Sequence, residues 1–106
     1  MLSNMLMRKS RDDRKADRLA LRMTASLRET GLTKFDVTVI DMSTTGYRIE
    51  TVYRLDIGAR VWLTIPGLCG LESEVSWTDY RGYGCHFISP LHIAVFEHVV
   101  APHIIR

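Results

Sequence analysis

Between Leu19 and Arg28 the chain keeps strict time: Leu19, Leu21, Met23, Ala25 and Leu27 alternate with Ala20, Arg22, Thr24, Ser26 and Arg28. A helix, with 3.6 residues per turn, would scatter those five large or apolar side chains around its circumference. A strand puts all of them on one face. Ten residues of period 2 therefore predict a half-buried strand, and they commit this part of the chain to a sheet with one face on a core.

The same rhythm recurs in shorter runs. Phe35, Val37 and Val39 alternate with Asp36 and Thr38 up to Asp41, after a turn at 29–34. A short strand is predicted over 47–51, with Ile49 inward and Arg48 and Glu50 outward. Val61, Leu63 and Ile65 lead to Pro66-Gly67, a strong turn signal. Leu71, Ser73, Val75 and Trp77 then alternate with Glu72, Glu74 and Ser76, which predicts Trp77 in the core, with stacking on a ligand as the alternative. A hairpin loop at 78–82 precedes a last strand over 83–88. Trp62 is out of phase with Val61 and Leu63, so it belongs to a rim, the underside of a helix or a partner surface. Six short strands with frequent turns predict a mainly β protein, a small barrel or sandwich.

Only the C-terminal stretch changes period. Ser89 followed by Pro90 has the form of an N-cap with proline at the first helical position. Leu91, Val95 and Val99 recur every four residues, widened by Ala94, Phe96 and Val100, and Pro102 ends the run. One helix over about 90–101 is predicted, covering an opening or flank of the sheet. The chain divides into a flexible basic arm over 1–17 and one domain over 18–106, since 46% hydrophobic residues in 106 support a single core.

Charge is unevenly spread. Residues 1–28 carry eight basic and three acidic side chains, whereas 29–106 carry six and nine. A basic arm on a mildly acidic body points to an anionic partner for the arm alone. No stretch approaches the roughly 20 apolar residues of a membrane span, so no membrane insertion is expected. The apolar opening at 1–7 precedes its positive charges, the reverse of a secretory signal, and a cytoplasmic address is the expectation. Cys69 and Cys85 fit no metal or redox spacing, and Cys85 reads as a reduced structural thiol. His86, His92, His98 and His103 fall at irregular intervals, so neither a metal nor a cofactor is expected. No serine has a glycine-elbow setting and no carboxylate pair suggests acid–base work, so the chain does not read as an enzyme.

Two short motifs carry the chemistry. Arg14 and Arg18, four apart, lead into the first strand. Asp41-x-Ser43-x-x-Gly46 closes the second. Taken alone, the latter is also a strand end whose Asp and Ser side chains bond nearby amides, with Gly46 at positive φ. Neighbouring strands of a barrel would bring both motifs together. A guanidinium fork can bond the O6/N7 edge of guanine, pair with phosphate and stack on a base. An ionised Asp41 can accept from guanine N–H donors, Ser43 can donate or accept beside it, and Gly46 leaves room for a close backbone approach. Arg18 and Arg22 fit the same spacing, but Arg22 falls inside the alternating strand while Arg14 does not. Arg48, two residues past Gly46, shares its face and is a candidate to assist.

With those motifs the chain resembles the PilZ domain family of bacterial cyclic di-GMP receptors. The resemblance covers about residues 14–100 and includes softer features: Gly58 and Val61 leading into a strand, Val75 and Trp77 ending one, and Gly84 to Phe87 in the last. It implies a six-stranded antiparallel split barrel with a C-terminal helix, and a basic N-terminal arm that closes over a bound cyclic dinucleotide. It also implies Arg14, Arg18, Asp41, Ser43 and Gly46 as the ligand-binding residues, a non-catalytic second-messenger role, and a downstream partner protein that these residues do not identify. A second expectation is a PilZ-like interaction module without cyclic di-GMP binding. Nucleic acid is not expected, because the acidic body lacks a basic stripe with interleaved aromatics.

Overall fold

The computed structural model describes residues 18–105; the arm expected over 1–17, and Arg14 within it, lie outside them. Six strands form: β1 Leu19–Glu29, β2 Phe35–Met42, β3 Gly46–Glu50, β4 Arg60–Ile65, β5 Leu68–Thr78 and β6 Gly82–Phe87. All pairings are antiparallel, in the closed order β1-β2-β3-β6-β5-β4. Closure gives every strand two neighbours. The inward residues of β1, namely Leu21, Met23, Ala25 and Leu27, meet Val39, Ile49, Val61, Leu63 and Val75 in one core.

The two ends of the barrel are built differently. At one end lie the β2–β3 turn, the β4–β5 turn and α1, Ile93–Val100. The segment after β6 is tied to the β2–β3 turn, with Phe87 N–H donating to Thr45 O (2.9 Å) and Leu91 N–H to Thr44 O (2.8 Å). The chain then closes back on β1 through an antiparallel bridge between Ile104 and Leu21. At the other end Leu55, in the long β3–β4 connection, is buried, and its N–H donates to Tyr83 Oη at 2.9 Å.

Two expectations change here. α1 begins at Ile93, not near Pro90, and its N-cap is His92, whose Nδ1 accepts from Ala94 N–H at 3.0 Å. Leu91 lies before the helix, with its amide given to Thr44 O in the β2–β3 turn. The buried face consequently runs through Phe96, Val99 and Val100, while Val95 is 39% exposed.

Trp77 is the second. It lies on the outer surface, 38% exposed, because β5 carries an extra residue between Val75 and Trp77. Val75 pairs with Cys85 and Trp77 with Gly84, so two steps on β5 match one on β6 and the in–out phase reverses. Trp62 is half-buried on the outer wall, where the Arg28 guanidinium lies 5.0 Å from its ring centre.

Candidate functional site

One row of cross-strand partners runs around the outside of the barrel. Ala20 on β1 faces Asp41 on β2, Asp41 faces Arg48 on β3, Arg48 faces Gly84 on β6, and Gly84 faces Trp77 on β5. Three of these four pairings adjoin a register shift: between Ala20 and Met23, between Val39 and Asp41, and between Val75 and Trp77. Bulges re-aim side chains, and here they act on the same row. Strict alternation from Val37 and Val39 would send Asp41 into the core. The extra residue at Ile40 turns it outward and lets Met42 take the buried position.

The charges gather on Asp41. Its side chain is only 13% exposed, with Arg48 Nε 3.2 Å from Oδ2 and Arg18 Nε 3.8 Å from Oδ1. Neither contact is a directed hydrogen bond. Among the described residues, Oδ1 is buried without a donor, and Arg48 Nε is buried without an acceptor along its N–H. A carboxylate oxygen held dry between two guanidinium groups, yet lacking a hydrogen bond, is an acceptor awaiting a donor. Arg48 is shared, since its Nη1 also reaches Asp79 Oδ2 at 3.4 Å. Asp79 sits in the β5–β6 hairpin, where its Oδ1 accepts from the N–H groups of Arg81 (2.8 Å) and Gly82 (3.0 Å). Those two amides, with the Arg48 and Arg81 guanidinium groups, hold the Asp79 carboxyl below the usual carboxylate range.

Trp77 supplies the aromatic end of the row. A Cβ on Gly84 would lie 2.1 Å from Trp77 Cε2, so the indole rests directly over the Gly84 backbone. Gly84 is what allows a flat ring to lie beside Arg48 on a strand surface. One row toward the helix end, His86 pairs with Glu74 and Gly46. His86 Nδ1 lies 2.5 Å from Ser76 Oγ and Nε2 lies 3.4 Å from Glu74 Oε1, a polar rim beside the tryptophan.

Of the five residues singled out by sequence, four are described. Arg18 and Asp41 meet. Ser43 is buried in its own turn: its N–H donates to Gly46 O (2.9 Å), and its Oγ accepts from Thr45 N–H (3.1 Å) and lies 3.0 Å from Thr45 Oγ1. Gly46 does not need the left-handed region, which among the described residues only Gly31, Gly58, Gly67 and Gly70 occupy. It is glycine because a Cβ would stand 2.4 Å from Cys85 O on the neighbouring strand. Arg14 lies outside the described residues. Arg22 is exposed on β1.

The sequence favours the core for Trp77 over stacking on a ligand, and it gives no sign of Asp79. The bulge hides Trp77, and Asp79 has the form of any turn aspartate until β3 and β6 are paired. Arg48 was legible from its spacing to Gly46, but its two carboxylate partners were not. The two free cysteines differ: Cys69 is exposed in the β4–β5 hairpin, and Cys85 is buried with its thiol pushed up to about 12, chiefly by desolvation.

Among the described residues no helix is long and apolar enough to cross a membrane. A search of curated proteins finds no match. The PilZ domain model, which stands for a family generally associated with cyclic di-GMP binding, matches residues 12–101, most of the chain, and this protein therefore belongs to the PilZ domain family.

Proposed function

We propose that this protein binds cyclic di-GMP as a non-catalytic second-messenger receptor, and that the arginine segment preceding β1 closes over the ligand to change a surface read by a partner protein. The observation that carries the reading is Asp41 Oδ1: a buried carboxylate oxygen 3.8 Å from Arg18, with no hydrogen-bond donor among the described residues. Guanine offers the N1–H and N2–H donors such an oxygen accepts, and Arg14 and Arg18 offer the forks that hold its O6/N7 edge or a phosphate. Trp77 is a platform for a base, a contact worth about 1–3 kcal/mol in single-stranded nucleic-acid sites. Ser43 and Gly46 shape the turn that sets Asp41. Ser43 Oγ is engaged by the amide and hydroxyl of Thr45 within that turn. The reading implies a cytoplasmic protein that uses no metal and no other cofactor.

Calorimetric titration with cyclic di-GMP, with GTP as the control nucleotide, tests it. Saturable binding at low-micromolar affinity or better, absent for GTP, is expected. Losing one charge-assisted contact through Arg14→Ala or Arg18→Ala corresponds to about 1.5–3 kcal/mol, roughly 10- to 150-fold in affinity. Unchanged affinity in both variants refutes the arginine mechanism.

One observation favours a second reading, an interaction module without cyclic di-GMP. Asp41 Oδ2 already lies 3.2 Å from Arg48 Nε, so part of its charge is met within the protein. That reading predicts no heat with any cyclic dinucleotide and a partner recovered regardless of nucleotide.

A further inference from the structure

We propose that Arg48 is a positioning residue that passes occupancy of Asp41 to the tip of the β5–β6 hairpin, so that the surface around Tyr80 responds to ligand. The inference deepens the receptor reading and rests on it for the identity of the ligand, but the coupling itself is a property of this chain alone.

Two crossed ion pairs brace the hairpin to β3. Arg48 Nη1 reaches Asp79 Oδ2 at 3.4 Å, and Arg81 Nε reaches Glu50 Oε2 at 2.9 Å. Between them, Asp79 Oδ1 accepts the amides of Arg81 and Gly82, and Thr78 Oγ1 donates to Gly82 O at 2.8 Å. One oxygen of Asp79 therefore shapes the turn while the other is held by Arg48. The shape of the tip and the position of the guanidinium are linked through a single carboxylate.

Arg48 is also the partner of Asp41, through Nε at 3.2 Å. One guanidinium divided between two carboxylates is a balance. A ligand N–H that takes up the Asp41 charge weakens its hold on Arg48, and the guanidinium leans to Asp79. The tip is then held more firmly, and Tyr80 is carried with it. Tyr80 is 91% exposed between Asp79 and Arg81, and with Val52 and Ile57, which are exposed too, it lines a groove of about 500 Å³ at this end of the barrel. Asp79 lies on the wall of that groove as well as in the ion-pair network of the site. A contact already spans the two regions, with no intervening chain of residues needed.

Hydrogen exchange of the Arg81 and Gly82 amides reads the balance directly, in two arms. In the ligand-free protein, Asp41→Asn removes the competing charge. Exchange at both amides is expected to slow roughly two- to fivefold, the range of a partly exposed ion pair. The effect should vanish in the Arg48→Ala background. It should also vanish with Asp79→Asn, whose amide oxygen still accepts from Arg81 and Gly82 but no longer attracts Arg48, so the turn itself is kept. Equal exchange in Asp41→Asn and the parent, or slowing that survives either second substitution, overturns the proposal. In the second arm, saturating cyclic di-GMP should slow the same amides in the parent and not in Asp79→Asn. Binding without any change at the tip overturns the coupling. An absence of binding sinks the receptor reading instead and leaves the first arm to decide.

Discussion

The indole of Trp77 rests over the backbone of Gly84, so closely that a Cβ there would stand 2.1 Å from its Cε2. Gly84→Ala should lift the ring off the strand without touching the core, because Gly84 and Trp77 pair on the outer wall. Emission from Trp77, isolated in a Trp62→Phe background, should shift to the red as the ring enters water. Affinity for cyclic di-GMP should fall about 5- to 150-fold, as it would for Trp77→Ala, if the ring stacks on a base with about 1–3 kcal/mol. A displaced ring with undiminished affinity would remove Trp77 from the site.

The arginines can be ranked in the same assay. Arg18 lies 3.8 Å from Asp41, whereas Arg22, four residues on, is exposed within the β1 register shift between Ala20 and Met23. Arg18→Ala and Asp41→Ala should each reduce affinity roughly 10-fold or more, and Arg22→Ala less than about twofold. A large loss from Arg22→Ala would mean that the pair at work is Arg18 and Arg22.

Two glycines separate lack of room from backbone strain. Gly46 has an ordinary backbone, yet a Cβ would meet Cys85 O at 2.4 Å. Gly31 has φ +78 in the β1–β2 turn, with nothing within 4 Å of its would-be Cβ. Gly46→Ala must push β3 and β6 apart where β2 turns into the site, a change of about 1–3 kcal/mol of overpacking. Gly31→Ala meets only the left-handed penalty, about 1 kcal/mol. Thermal unfolding should show the larger drop in melting temperature for Gly46→Ala, and that variant alone should also weaken ligand binding. Equal drops would mean that the strand contact at Gly46 relaxes freely.

The six strands were legible because burial on one face forces period 2, and a run such as 19–28 has no other regular solution. The site was only half legible. Asp41, Ser43 and Gly46 fall within one turn, so local spacing reveals them, whereas Arg48, Gly84, Trp77 and Asp79 meet only through strand order. Bulges did the rest of the hiding: the extra residue between Val75 and Trp77 reverses the phase, so a tryptophan that alternation sends inward is found outside. The positive φ expected of Gly46 is not there, and the close approach of β6 that requires a glycine leaves no mark in the sequence of either strand. The helix starts at Ile93 rather than at Pro90 because Ser89 and Pro90 only have the local form of a helix start, and the tie from Leu91 to Thr44 appears only once β3 and β6 are paired.

Alkaline pH should find the weak point of the core. Cys85 and Tyr47 are both buried, and desolvation raises both groups, Cys85 to about 12 from an ordinary 9.0 and Tyr47 well above 10.0. A raised folded-state value means that the unfolded chain loses its proton first. The stability these groups contribute is complete below about pH 9 and declines as pH rises toward 12. Denaturant midpoints measured from pH 7 to 11 should therefore be flat at first and then fall, with a shallower fall in Cys85→Ala. Thiol chemistry gives an independent check. Exposed Cys69 should react rapidly at pH 8, while Cys85 should react only at the rate of unfolding. Two fast thiols in the native protein would show that the wall between β3 and β6 opens, and that Cys85 is reached by solvent without unfolding of the core.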